Sequence, residues 1–298
     1  MSNDPHTPEP LAGVSIDHRD VPVRRAGTSS PSHRSTMPVI GAVSYLNTKP
    51  LIAGLDAESD SYRLDLDLPS RLADRLSAGE LSVGLIPVIE AIQDPIYVIV
   101  SDACIACRGP VWSVKLMSRV PLNQIQTLAL DEGSRTSQAL TKILLAKKYN
   151  ATPECHLLSM QDDWRSVSSD AALIIGDRAM NASDDQFPFV VDLGDAWFKW
   201  TGLPFVFAVW AARFDADHGT LDNILTQSRD FGITQLDRLA DENRQTYSLS
   251  QQDCRQYLNQ YIHYHLGDKE KRAMKAYFEF AVELDMIPNQ QGLTFYQS

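Results

Sequence analysis

The sequence predicts an α/β protein of two lobes. Short apolar runs alternate with amphipathic helical stretches from residue 37 onward, the pattern of mainly parallel sheets. That grammar occurs in two successive blocks, after which the chain turns helical. A chain that builds one block, crosses to a second and returns makes two lobes with a cleft between them. Ligands of such folds sit at the carboxyl ends of strands.

The elements follow in order. Residues 1–36 carry Pro5, Pro8, Pro10, Pro22 and Pro31 with no helical or strand period, which predicts a disordered tail; either Met37 is the functional start or the tail is native and dispensable. Val39–Val43 reads as the first strand, Arg63–Asp67 as a second by alternation, Pro69–Leu76 as a short helix, and Leu81–Ile86 as a strand. Tyr97–Cys107 reads as a strand followed by a turn that holds Cys104 and Cys107. The second block offers a strand at Thr127–Leu130, a helix at about Ser134–Tyr149 and a strand at Ala171–Ile175. After a strand at Phe205–Trp210, apolar spacing predicts helices over Leu221–Leu239, Gln251–Leu266 and Lys269–Leu284. The expected domains are 37–112 together with 205–298 for lobe one, and 113–204 for lobe two.

Bulk properties remove whole classes of function. A net charge of −11 and a pI near 5.0 argue against nucleic acid or an anionic membrane as partner. No apolar run reaches transmembrane length, and the N-terminus lacks the charged-then-apolar order of a secretory signal. The expected location is therefore cytoplasmic. Four cysteines in 298 residues make no disulfide framework. A zinc site on Cys104 and Cys107 would need a second ligand pair, so both read as buried thiols. His263-Tyr264-His265 falls in a predicted helix, where i and i+2 diverge, so paired metal ligation is not expected.

Three strand ends carry candidate chemistry. Ser44 to Leu51 follows the first strand, with Pro50 suited to a helix start capped by Thr48 or Lys49, and offers the Ser44 hydroxyl and Asn47 amide to an anion. The same residues serve a simple turn and cap equally well. Asp131 to Gln138 opens the long helix, where Ser134, Arg135, Thr136 and Ser137 cluster at the positive end of a helix dipole. The third group is Gly84 to Pro87, Arg108 to Ser113 and Ile174 to Asp177; each pairs a strand end with a glycine that lets backbone approach a ligand. Asp177 reads as a site carboxylate or as the cap of the next helix. No nucleophile elbow, phosphate loop, metalloprotease motif or dinucleotide fingerprint occurs. Residue patterns thus reach a two-lobed protein with an anion-binding cleft.

Val43-Ser44-Tyr45-Leu46-Asn47-Thr48-Lys49-Pro50-Leu51 resembles the opening signature of the MqnA-type chorismate dehydratases of the futalosine menaquinone pathway. The order continues through Gly84-Leu85-Ile86-Pro87, Gly109-Pro110-Val111, Ser134-Arg135-Thr136-Ser137, Ile175-Gly176-Asp177, Asp192-Leu193-Gly194 and Thr201 to Trp210. The resemblance implies a type 2 periplasmic-binding-protein-like fold with the ligand in the interlobe cleft. It implies a hydro-lyase that acts on chorismate without cofactor or metal. Asn47 would be the catalytic residue. Ser44, Gly84, Ile86, Gly109, Ser113, Ser134, Arg135, Thr136, Ser137 and Asp177 would bind substrate. The sister dihydroxynaphthoate synthases open on a different loop, and Ser-Tyr-Leu-Asn here favours the dehydratase. A non-catalytic cytosolic solute-binding or sensor protein is the rival reading. The pattern leaves oligomeric state open.

Overall fold

The computed structural model describes residues 23–24, 37–56, 59–183, 185–216, 220–288 and 294–296. The tail expected to be disordered therefore lies outside the described residues, apart from Val23–Arg24. In chain order the strands are β1 (Val23–Arg24), β2 (Val39–Val43), β3 (Arg63–Asp67), β4 (Val83–Pro87), β5 (Tyr97–Cys107), β6 (Val114–Ser118) and β7 (Thr127–Asp131). They continue with β8 (Glu154–Leu158), β9 (Ala171–Ile175), β10 (Phe189–Asp192), β11 (Phe205–Arg213), β12 (His263–His265) and β13 (Phe295–Tyr296).

Two sheets result. The first runs β1-β13-β5-β11-β4-β2-β3, with β12 also on β5; the second runs β10-β6-β9-β7-β8. In the first sheet β2 lies parallel to β3 and β4, whereas β11 runs antiparallel between β4 and β5. The chain leaves the first sheet after Cys107 and re-enters it at Phe205. Returning through the middle of a formed sheet places β11 beside the outgoing β5, so the two crossings lie together at the cleft.

Aromatic packing stiffens the return crossing. Trp197, fully buried on the helix Leu193–Thr201, packs edge-on against Phe205, Tyr277 and Phe280, and its indole N–H donates to the Pro204 carbonyl at 2.9 Å. Such T-shaped contacts add to the burial of large rings. The helix Asp268–Glu283, which carries Tyr277 and Phe280, thus clamps β11 against the second lobe.

Several local expectations change. Cys104 and Cys107 lie inside β5, not in a turn, because β11 and β12 hold that strand out to Cys107. Both are free and fully buried, and burial pushes their thiols far up. The stretch read as one helix over 221–239 breaks into Leu221–Ile233 and Leu236–Asn243. The one read over 251–266 ends in a π turn, Tyr257–Tyr261, after which His263–His265 joins β5 as a strand. Its two histidines take separate carboxylates, His263 facing Glu270 at 3.7 Å and His265 facing Asp102 at 3.3 Å. Among the described residues no group of three or more His, Cys, Asp or Glu is placed to hold a metal ion.

Candidate active site

Loop 44–48 forms the first wall. After β2 the chain makes a 3-10 turn, Leu46–Thr48, and then the short helix Lys49–Ile52. Thr48 occupies the cap position without a side-chain cap bond, which corrects the expected capping. Asn47 Oδ1, Tyr45 Oη and Thr48 Oγ1 are all buried without a hydrogen-bond partner. Unpaired buried polar atoms cost about 1–3 kcal/mol each; Asn47 and Tyr45, unlike Thr48, line the cleft, where a ligand can pair with them. Burial, reinforced by Asp131 and Asp177, pushes the Tyr45 phenol up to about 12, which keeps it a hydrogen-bond donor. Ser44 is exposed; its carbonyl accepts from the Tyr247 hydroxyl at 2.7 Å.

The second wall is the start of the helix Arg135–Tyr149. Ser134 caps it, its Oγ accepting from Ser137 N at 3.2 Å and donating to Ser137 Oγ at 2.9 Å. Below it Asp131, fully buried, accepts from Gly133 N at 2.9 Å and pairs with Arg178. Arg178 also donates to the carbonyls of Met160 and Asp162 at 2.9 and 3.0 Å, so its charge is consumed by structure. Asp177 begins the next helix after Gly176, which takes φ +66 and caps nothing with a side chain. The expected capping role for Asp177 is therefore not observed. Burial raises the phenols of Tyr45, Tyr247 and Tyr257, and the exposed Asp177 carboxylate adds to that rise.

The outgoing crossing supplies the third wall. Asp192 accepts from the backbone N–H groups of Val111 at 3.0 Å, Trp112 at 2.6 Å and Asp195 at 3.0 Å. Burial drives its carboxyl up and these three donors only partly offset that. The bonds hold Trp112 at φ +63, and the chain then turns Ser113 inward. Gly109, at φ +116, makes the bend that precedes it.

These walls enclose a cleft of about 710 Å³, open solvent included. Its polar lining is Tyr45, Asn47, Ser113, Ser134, Ser137, Asp177 and Tyr257, over an apolar surface that includes Val43, Ile105, Met180 and Phe207. Among the described lining residues none is cationic. An anion would thus be held by hydroxyls and the free N–H groups of a helix end.

Of the residues singled out by sequence, Asn47, Ser113, Ser134, Ser137 and Asp177 line the cleft; six do not. Ser44 is exposed outside it. Gly84 and Ile86 are buried in β4, where an added Cβ at Gly84 would meet Ile86 at 3.2 Å. Gly109 shapes the crossing. Arg135 turns to Glu90 at 3.0 Å and Asp74 at 3.5 Å. Thr136, fully buried, donates to the Phe207 carbonyl at 3.2 Å and accepts from Ile89 N at 3.4 Å, tying the helix to β11. Sequence reading passed over Tyr45, although it stands inside the motif that flagged Asn47. It also passed over Phe207, which likewise stands inside a quoted motif, and Tyr257, which no local pattern marks.

Comparison with known proteins agrees with this architecture. The profile of a family described as menaquinone biosynthesis matches residues 38–283. A chorismate dehydratase of Thermus thermophilus is 30% identical over 269 residues, 84% of this chain and 97% of that protein. One from Campylobacter jejuni is 25% identical over 83% of this chain and 99% of that protein. Among solved structures, protein AF1704 of Archaeoglobus fulgidus superposes with a TM-score of 0.67 at 16% identity, covering 84% of this chain and 98% of that one. The alkanesulfonate-binding protein SsuA of Xanthomonas axonopodis does so with a TM-score of 0.63 at 13% identity, covering 89% and 100%. A Candida albicans protein described as having the generic periplasmic binding protein fold gives 0.59 at 10% identity, covering 86% and 92%. The fold is thus periplasmic-binding-protein-like, and by the extent of the profile match and the identity to its relatives the chain belongs to the menaquinone biosynthesis family.

Proposed function

We propose that the protein is a chorismate dehydratase of menaquinone biosynthesis, a hydro-lyase that removes water from chorismate to leave 3-[(1-carboxyvinyl)oxy]benzoate. The names of two relatives that match over nearly their whole length support this. The observation that carries it is the pair of buried, unpartnered polar atoms on the cleft wall, Asn47 Oδ1 and Tyr45 Oη, in a cleft also lined by the hydroxyls of Ser134 and Ser137.

The reaction breaks the C–H bond on the ether-bearing ring carbon and the neighbouring C–O bond to the hydroxyl. The C–H electrons complete the aromatic ring while hydroxide departs and takes up a proton as water. In this reading the substrate's own enolpyruvyl carboxylate receives the ring proton and passes it to the departing hydroxide, which leaves the carboxylate ionised and one water released. Aromatisation drives the step, so the protein's task is to hold one reactive conformer of a dianion, an effect worth several kcal/mol. Ser134, Ser137 and the first N–H groups of the helix would grip one carboxylate. Asn47 and Ser113 would address the reacting edge. Asp177 would orient the leaving hydroxyl or brace its loop. The chemistry calls for no cofactor, and we place the protein in the cytoplasm.

Ultraviolet absorbance of the aromatic product, followed after adding chorismate, tests this. Wild type should convert chorismate, and Asn47→Ala should lose at least about 100-fold in kcat while calorimetry still registers binding. Binding without conversion by wild type would replace the enzyme with a solute-binding or sensor protein.

A further inference from the structure

Resting on the dehydratase reading, we infer that Tyr257 is a positioning residue: by holding Ser113 it aims the Ser113 hydroxyl proton at the leaving hydroxyl of the substrate. Tyr257 opens the π turn at Tyr257–Tyr261, far in sequence from every other cleft residue. It is 1% exposed, and its ring is held edge-on by Trp112 at 5.9 Å. Trp112 in turn stands where Asp192 fixes the crossing, and it also meets Tyr261 at 6.0 Å. π turns are frequent at functional sites, and this one ends the helix that begins at Gln251 and carries Tyr257 to the cleft.

The polarity of the hydrogen bonds follows from the donors available. Tyr257 Oη donates to Ser113 Oγ at 2.9 Å. A phenol has one proton, and this bond uses it on Ser113 Oγ, so the Ser113 hydroxyl keeps its own hydrogen for the cleft. Asn47 Oδ1, buried and unpartnered on a residue that lines the same cleft, is the acceptor available beside it. A hydroxyl needs one acceptor and one donor, which Asn47 Oδ1 and Ser113 supply. The donor stabilises the oxygen as negative charge grows on it during departure. Without the Tyr257 hydroxyl, Ser113 would be free to rotate, and its proton would lose its fixed direction.

The test is Tyr257→Phe, which keeps the ring and its packing. The expected result is a kcat lower by about 10- to 100-fold, the range for one buried hydrogen bond felt in the transition state, with KM changed by less than about 3-fold. In a double-mutant cycle, Tyr257→Phe combined with Ser113→Ala should be no slower than Ser113→Ala alone, because both remove the same link. 3-Fluorotyrosine at position 257 keeps the hydroxyl and should retain wild-type-like kcat; it also serves should the Phe variant fold poorly. Three results would overturn the inference: a Tyr257→Phe kcat within 2-fold of wild type, losses that multiply in the cycle, or loss of kcat in the fluorotyrosine protein. A wild type that binds chorismate without converting it removes the underlying reading as well, whereas a converting wild type with an unaffected Tyr257→Phe removes this inference alone.

Discussion

Gly232 sits where the helix Leu221–Ile233 crosses the short helix Lys49–Ile52, directly behind the loop that carries Asn47. A Cβ placed on Gly232 would lie 1.8 Å from the Pro50 carbonyl oxygen, 2.6 Å from its carbon and 2.8 Å from its Cα. All three atoms are backbone, so no side chain can rotate aside. Restoring an ordinary contact of 3.4 Å means opening the crossing by 3.4 − 1.8 = 1.6 Å. That shift would strain the bonds from Ser228 Oγ to the Leu51 carbonyl at 2.8 Å and from Gly54 N to Ser228 Oγ at 3.1 Å. Overpacking of this kind costs about 1–3 kcal/mol, or about 2–5 °C in melting temperature for a chain of this size. Asn47 lies three residues before Pro50, and a displacement of about 1 Å at a reacting centre is enough for a 100-fold loss of rate. Gly232→Ala should therefore lower both the melting temperature, read by circular dichroism, and kcat for chorismate. Gly79→Ala is the control: φ is +76 there but nothing lies within 4 Å of an added Cβ, so it should cost a little stability and no activity. A Gly232→Ala protein with unchanged melting temperature and kcat would refute the claim that this crossing sets the position of the loop.

Asn47→Ala removes a buried acceptor that has no partner, so its melting temperature should stay within the equivalent of about 1 kcal/mol of wild type despite the lost activity; a large drop on calorimetry would make Asn47 structural instead. Ser134→Ala removes the cap of the helix Arg135–Tyr149 and should cost about 1 kcal/mol in urea unfolding while raising KM for chorismate about 10-fold. Glu270 is buried, which alone would raise its carboxyl, but Arg108 at 2.9 Å, a backbone N–H and His263 outweigh this and hold it below its usual range. Its stabilising contribution is therefore present above its unfolded pKa and lost as pH falls through the depressed folded one. Arg108→Gln should raise that folded pKa, so the midpoint of acid unfolding should move to higher pH; an unmoved midpoint would count against the pair. A chain beginning at Met37 should keep wild-type turnover, as measured by product absorbance.

Much of the fold was legible in the sequence because most core strands are apolar throughout: β4 and β9 are buried at every position. The edges β8 and β10 went unread, since their outer residues, Leu157 and Val190 among them, stay exposed and leave no clean alternation. His263–His265 carried helix-like spacing, yet the neighbouring edge of β5 captured it as a strand. The lining of the candidate cleft was legible at Asn47, Ser113, Ser134, Ser137 and Asp177, where a loop or helix start follows a strand. Arg135 was assigned to the ligand because its partner Glu90 lies 45 residues away, a pairing that no local pattern announces. Tyr257 was missed for the same reason, as it reaches Ser113 across 144 residues.

Incubation of the purified protein with chorismate alone, followed by mass spectrometry, tests the central claim most directly. The account predicts that chorismate is consumed and replaced by a species lighter by one water that absorbs as an aromatic benzoate. Chorismate bound in the cleft but recovered unchanged would contradict it.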